Sequence, residues 1–191
     1  MIKQNKRIYT KTGDRGATVL INGEPLPKNS LVFEVLGTLD ELNASLGLVV
    51  LKFKQTPKTS RADLFLRETN LLIDLQNELF KLGAEIALSP TVKLNNQFVA
   101  TLEQEIDFLQ DDIGANWGNK FVLPGGSEIG AFLDLARTIA RRLERKIVAL
   151  NNERDLREII LQFNNRVSDY LYTLRIWVNK ELQVKEIEFQ A

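Results

Sequence analysis

Val35-Leu-Gly-Thr-Leu-Asp-Glu-Leu-Asn-Ala-Ser-Leu-Gly-Leu-Val-Val-Leu-Lys-Phe53 decides the fold class. Val35, Leu39, Leu42, Leu46, Val49 and Phe53 recur in alternating steps of four and three. That spacing puts all six on one stripe of an α-helix. Two starts are open. Thr38 and Glu41 have the spacing of a capping box, whereas Asn29 or Ser30 would cap a longer helix containing Gly37. The longer helix is expected.

Downstream, residues 54–61 are polar and include Pro57, which reads as a loop. A second helix is expected over Ala62–Leu88, with Leu64, Leu71, Leu75, Leu79 and Leu82 on its apolar side. Ser89-Pro90 ends it, because proline disfavours helix in the residue before it. A third covers Val99–Ile113, with Leu102, Ile106, Leu109 and Ile113 in register. A loop over 114–126 closes on Pro124-Gly125-Gly126, and further helices are expected over Ser127–Leu150 and Asp155–Leu182. The tail Val184–Phe189 alternates like a strand. Upstream, Gly13, Gly16, Gly23, Pro25 and Pro27 mark residues 1–30 as an irregular arm with a short hairpin near Thr18–Ile21. The expected architecture is all-α: one five-helix bundle domain at 31–182, preceded by an arm at 1–30 and followed by a tail at 183–191.

Composition narrows the chemistry. The 191 residues are 44% hydrophobic and 26% charged, as in an ordinary globular protein. Lys plus Arg and Asp plus Glu both number 25, so no broad field favours nucleic acid or an acidic membrane surface. There is no cysteine, which excludes disulfides, thiolate metal sites and a cysteine nucleophile. There is also no histidine, so no imidazole can ligate a metal, act as base or join a serine triad. Chemistry must run on carboxylates, Lys and Arg, backbone amides or a bound cofactor. The opening Met-Ile-Lys-Gln-Asn-Lys-Arg has no apolar segment behind it, and no apolar run reaches membrane-spanning length, so a cytoplasmic location is expected.

Five segments stand out. Thr10-Lys11-Thr12-Gly13-Asp14-Arg15-Gly16, with Lys28, reads either as a surface turn or as an anion-binding nest of inward N–H groups backed by cations. It is not a P-loop. On the fourth helix Arg137, Arg141 and Glu144 share a face away from the stripe of Phe132, Ala136, Ile139, Leu143, Ile147 and Leu150, and Arg142 points elsewhere. Arginines four apart can grip phosphate oxygens, or the face can be solvated with an internal Arg–Glu pair. Asp40, Glu41 and Asn43 flank the first helix's seam as surface polar groups or as partners for arginines. Phe121-Val122-Leu123-Pro124-Gly125-Gly126 is an apolar, strand-like stretch running into a tight turn, and in isolation it reads as a plug sealing the bundle end. Asn164-Asn165-Arg166-Val167-Ser168-Asp169 is unusually rich in hydrogen-bonding groups for a helix interior, or is a polar face.

Taken in order, Ile-Tyr-Thr-Lys-Thr-Gly-Asp-Arg-Gly (8–16), Pro27-Lys28, Gly-Thr-Leu-Asp-Glu-Leu-Asn (37–43), Phe-Val-Leu-Pro-Gly-Gly (121–126), Ala-Arg-Thr-Ile-Ala-Arg-Arg-Leu-Glu-Arg (136–145) and Asn-Arg-Val-Ser-Asp (165–169) closely resemble the PduO-type corrinoid adenosyltransferases. The similarity runs from about residue 8 to 179. It implies a homotrimer that binds ATP between subunits and transfers the 5′-deoxyadenosyl group to cobalt(I) of cobalamin, releasing triphosphate. It implies that Thr10, Lys11, Thr12, Gly13, Asp14 and Gly16 wrap the nucleotide, that Lys28 reaches its phosphates, and that Arg137, Arg141, Glu144 and Asn165 complete the site. It also implies an Asp40–Arg137 salt bridge between subunits, and Phe121 against the lower face of the corrin. Mg²⁺ is the expected companion of ATP, and no protein metal ligand is assigned. A reductase and an adenosylcobalamin-dependent acceptor enzyme are the expected partners, with no nucleic acid and no membrane. A carrier that hands over adenosylcobalamin and a non-catalytic ATP- or phosphate-sensing bundle are the competing readings. The chain departs from the family pattern at Val32, Leu36, Val167 and Arg175.

The chemistry implied suits a chain without histidine. Cobalt(I) is itself a strong nucleophile, so the protein needs only to align it with C5′ of ATP and neutralise the leaving triphosphate. An apolar side chain under the ring keeps an axial ligand off cobalt(II) and eases its reduction.

Overall fold

The first apolar stripe forms a helix that starts after Ser30 and runs straight through Gly37, the longer of the two readings. Thr38 lies inside it and donates its hydroxyl to the Glu34 carbonyl at 2.7 Å instead of capping a start. The computed structural model describes residues 9, 11, 13–56, 60–115 and 121–190. Within them the elements are β1 (Ala17–Val19), β2 (Pro25–Pro27), α1 (Leu31–Gln55), α2 (Ala62–Ile86), α3 (Phe98–Ile113), α4 (Glu128–Glu153) and α5 (Glu158–Glu181).

The helices form the bundle expected from their stripes. α1 packs on α2 and α4, and α5 packs on α3 and α4. Leu42, Leu46, Leu75, Leu79, Leu102 and Leu143 are wholly buried, each stabilising the fold by about 1.5–3 kcal/mol relative to exposure. At one end Phe65 of α2 lies 5.1 Å from the Trp177 ring of α5, with Phe53 of α1 5.7 Å beyond it. The Trp177 indole N–H donates to Asp112 at 2.8 Å. Arg61 holds the same carboxylate through two bonds of 2.6 and 2.8 Å, which, with the indole, keeps Asp112 below the usual carboxylate range.

Two boundaries differ from the periodicity. α2 stops at Ile86 because Leu88 turns left-handed (φ 64°) and Ser89 N–H returns to the Ala84 carbonyl at 2.9 Å. α5 begins three residues after Asp155. Asn151 accepts the Leu156 N–H at 3.1 Å, and Arg157 is held extended by Glu85 at 2.6 Å and the Leu94 carbonyl at 3.1 Å.

The core also holds an acid pair. Glu68 is fully buried and accepts from the Tyr170 hydroxyl at 2.8 Å, while Glu105 beside it pairs with Arg67. Burial, then the neighbouring Glu105 charge, pushes the Glu68 carboxyl up to about 8. Glu68 and Glu105 each keep one buried oxygen without a conventional partner, the arrangement expected when one neutral acid lends its proton to the other.

The hairpin expected near Thr18–Ile21 is β1–β2, antiparallel with Ala17 opposite Pro27. Ile21 N–H bonds the Ala87 carbonyl at 3.1 Å and Glu24 meets Arg154 at 3.3 Å, fixing the ribbon beside the C-terminal ends of α2 and α4. The alternating tail makes a single antiparallel bridge, Val122 to Glu188. Among the described residues no helix is long and apolar enough to cross a membrane.

Candidate functional site

α4 divides as its wheel predicts. Leu133, Ala136, Ile139, Ala140, Leu143 and Ile147 face the core, which leaves Arg137 half-buried and Arg141 exposed on the next face. Ser127 starts the helix, accepting the Gly130 N–H at 2.9 Å. Immediately before it the 121–126 loop is laid across the N-terminal half of α4 and the C-terminal half of α5. Together they enclose a cleft of about 340 Å³ walled by Phe121, Asp134, Arg137, Arg141, Tyr172 and Arg175 among others.

The cleft is cationic on one wall and apolar on the other. Arg137 donates to Asp134 at 3.3 Å and lies 5.9 Å from the Tyr172 ring centre. Arg141 makes no side-chain ion pair among the described residues, so its guanidinium faces the cleft uncommitted. One turn on, Glu144 accepts from Asn165 at 3.2 Å rather than pairing with an arginine of its own helix. Asn165 in turn accepts from Arg166 at 2.8 Å. Arg166 bonds Glu103 at 2.8 Å, and this bond holds its guanidinium above the usual arginine range.

Phe121 is 86% exposed. That removes the plug reading, since a plug would be buried. The ring stands at the cleft mouth on a loop held from behind: Leu123 N–H donates to the Ile187 carbonyl and Phe189 N–H to the Phe121 carbonyl, both at 2.8 Å. Gly126 (φ 94°) must be glycine for two reasons, its left-handed backbone and the Asn179 amide, which would collide with any Cβ.

In the arm, Asp14 N–H reaches the Lys11 carbonyl at 3.4 Å, Gly16 N–H the Gly13 carbonyl at 3.2 Å, and Lys28 N–H the Gly16 carbonyl at 2.8 Å. The Lys28 ammonium thus lies over Gly13, where an added Cβ would sit 2.9 Å from Nζ. Thr10 and Thr12 lie outside the described residues.

Phe121, Arg137 and Arg141 therefore meet in one cleft, with Glu144 and Asn165 a turn away. Among the described residues, neither the arm nor Asp40 joins them within one chain. Arg154, which anchors the ribbon, is thirteen residues from Arg141 on the same helix line, about 20 Å at 1.5 Å per residue. Asp40 sits on the outer face of α1 with exposed Ala44, Leu48 and Leu51. Sequence reasoning missed Asp134, Tyr172 and the buried placement of Arg175. Asp134 was readable three residues before Arg137, the spacing of a helical ion pair. Nothing local foretold that Arg175 would be enclosed. Among the described residues no three acidic side chains cluster as metal ligands. The arrangement is suited to holding a polyanion against a flat apolar surface.

The chain is similar to known proteins over nearly its whole length. Residues 8–178 match the family model described as cobalamin adenosyltransferase. A corrinoid adenosyltransferase of Bacillus subtilis (strain 168) is 37% identical over 187 residues, covering 96% of this chain and 92% of the relative. A human corrinoid adenosyltransferase is 33% identical over 177 residues, covering 88% and 67%. Among solved structures, a phenylalanine-to-alanine variant of a PduO-type ATP:corrinoid adenosyltransferase from Lactobacillus reuteri, complexed with cobalamin and ATP, superimposes with a TM-score of 0.84. It shares 31% identity and covers 97% of this chain and 100% of that one.

Proposed function

Because the chain belongs to the cobalamin adenosyltransferase family, we propose that it transfers the 5′-deoxyadenosyl group of ATP to cobalt(I) of cobalamin, giving adenosylcobalamin and triphosphate. The observation that carries this is the cleft itself: an uncommitted Arg141 beside Arg137, facing an aromatic ring left in water. Cobalt(I) supplies the electron pair that forms the bond to C5′, and the C5′–oxygen bond breaks with its pair going to triphosphate. Arg137 and Arg141 receive that growing charge, and Lys28, poised over the curled Gly13–Gly16 segment, holds the phosphates from the other side. Glu144, fixed by Asn165, orients the nucleotide. Phe121 covers the lower corrin face and excludes water from the cobalt.

The distance between the arm's anchor and Arg141 supports a site shared between two chains, each arm closing its neighbour's cleft. The exposed stripe Leu48 and Leu51 on α1, with Leu135 and Val148 on α4, offers apolar surface for that contact. A homotrimer with Asp40 of one chain paired to Arg137 of the next fits both features. Mg²⁺ would ride on phosphate oxygens and water, since the described residues offer it no acidic cluster. A cytoplasmic location, a reductase that supplies cobalt(I) and an acceptor enzyme that takes the product complete the reading.

The test is direct. Purified protein given ATP, Mg²⁺ and chemically reduced cobalamin should convert the cobalt(I) absorbance to that of adenosylcobalamin. Arg141→Ala should lower turnover by about 10²–10³-fold, the cost of one lost charge-stabilising donor, with helical circular dichroism unchanged. Persistence of the cobalt(I) spectrum with the unaltered protein would overturn the reading.

A further inference from the structure

We propose that Arg175 is a positioning residue for the corrin side of the reaction: it ties the Phe121 loop to the C-terminal tail and takes no part in gripping phosphate. The assignment of that wall to the corrin rests on the function proposed above. The tie itself rests on geometry.

Arg175 is 1% exposed although it borders the cleft. Its Nε donates to Asp134 at 3.1 Å, its Nη2 to the carbonyls of Leu123 at 3.1 Å and Gly125 at 3.4 Å, and its Nη1 pairs with Glu186 of the tail. Four of the five N–H groups of a guanidinium are thereby spent. Arg141, whose side chain makes no such bonds among the described residues, can turn to a ligand, whereas Arg175 cannot without abandoning the buried Asp134 carboxylate and its other partners. A third phosphate-binding arginine is the obvious alternative, and these contacts exclude it.

The same partners bind one another. Asp134 accepts the Gly125 N–H at 2.9 Å, and Asn179 donates to the Gly125 carbonyl at 3.1 Å and to Glu186 at 2.9 Å. Loop, tail, α4 and α5 thus converge on one planar cation whose fork reaches all of them. The Val122–Glu188 bridge lies alongside, and Phe121 is the residue it delivers to the cleft mouth. An ammonium in place of the guanidinium has neither the plane nor the reach to serve both carbonyls and both carboxylates. Arg137 binds the other oxygen of the Asp134 carboxylate, Oδ1, at 3.3 Å, so the phosphate wall has a contact that does not run through Arg175.

Two measurements on the full-length protein test this. Amide hydrogen exchange needs no substrate. Arg175→Met should speed exchange at Leu123 and Phe189 by about tenfold or more, as expected when loss of one buried hydrogen-bond network opens a segment locally, with α1 amides unmoved. Steady-state kinetics should show KM for the corrinoid raised about tenfold, one net hydrogen bond's worth of positioning, and KM for ATP within about threefold. Arg175→Lys should not restore either value. Should Arg175→Met fail to fold, Phe189→Pro, on an exposed tail, removes the N–H that meets the Phe121 carbonyl and constrains the backbone at the Glu188 bridge; it should give the same selective rise in corrinoid KM. Unchanged exchange at Leu123, or equal effects on both KM values, overturns the proposal. An unaltered protein without turnover would instead overturn the assigned reaction, with the exchange result still deciding whether Arg175 ties the loop.

Discussion

Replacing Glu68 by glutamine tests the physical reading of the core. In the folded chain the Glu68 carboxyl is held near 8 by burial and by Glu105, against an ordinary 4.5 in the unfolded chain. Between those values the folded state carries a proton that the unfolded state has lost, so stability is highest in acid and falls as pH rises. From pH 5.5 to 7.5, integrating the proton difference gives a loss of about 2–3 kcal/mol from this one group. Glutamine reproduces the neutral acid. Its carbonyl can accept from Tyr170 and its amide can donate to Glu105, with no proton to lose. Urea unfolding at a fixed protein concentration checks it: with an m-value of about 2 kcal/mol/M for a chain of this size, the unaltered midpoint should drop by roughly 1 M more than that of Glu68→Gln over the two pH units. Parallel pH profiles for the two proteins would refute the shared-proton arrangement.

Two further outcomes follow from other contacts. Gly13→Val places a branched side chain where the Lys28 ammonium lies, 2.9 Å from the added Cβ; KM for ATP should rise about tenfold or more with kcat for bound substrate less affected, as saturation kinetics will show. Asp112→Asn removes the charge that binds Arg61 and the Trp177 indole; it should cost about 1–3 kcal/mol of stability at pH 7 by denaturant titration. Because the Asp112 carboxyl is held low, that stability is present above the ordinary aspartate range and is lost as pH falls through the lowered value, so the two proteins should converge in acid.

The sequence made the five helices legible because each one's apolar residues keep a helical period over several turns, from Val35 to Phe53 above all. It was least informative where a distant side chain decides the backbone. Arg157, held by Glu85 seventy-two positions away, delays α5 in a way no window of neighbouring residues contains. The site divides along the same line. Arg137 and Arg141 were readable because one helix carries both at a fixed angular spacing. The exposure of Phe121 was not, since an apolar run before a tight turn reads as a plug, and the loop is tied instead to the distant tail by the Val122–Glu188 bridge. Arg175 stands in a helix segment that is otherwise apolar, and its enclosure depends on a tail carboxylate and two loop carbonyls meeting in space.

Phe121 spends the resting state with most of its ring in water. Covering it with a flat partner would release ordered solvent and give a negative heat-capacity change nearly indifferent to salt, while the arginine wall would bind its anion more weakly as ionic strength rises. A calorimeter run at two temperatures and two salt concentrations would then separate the two halves of one cleft by thermodynamic character alone.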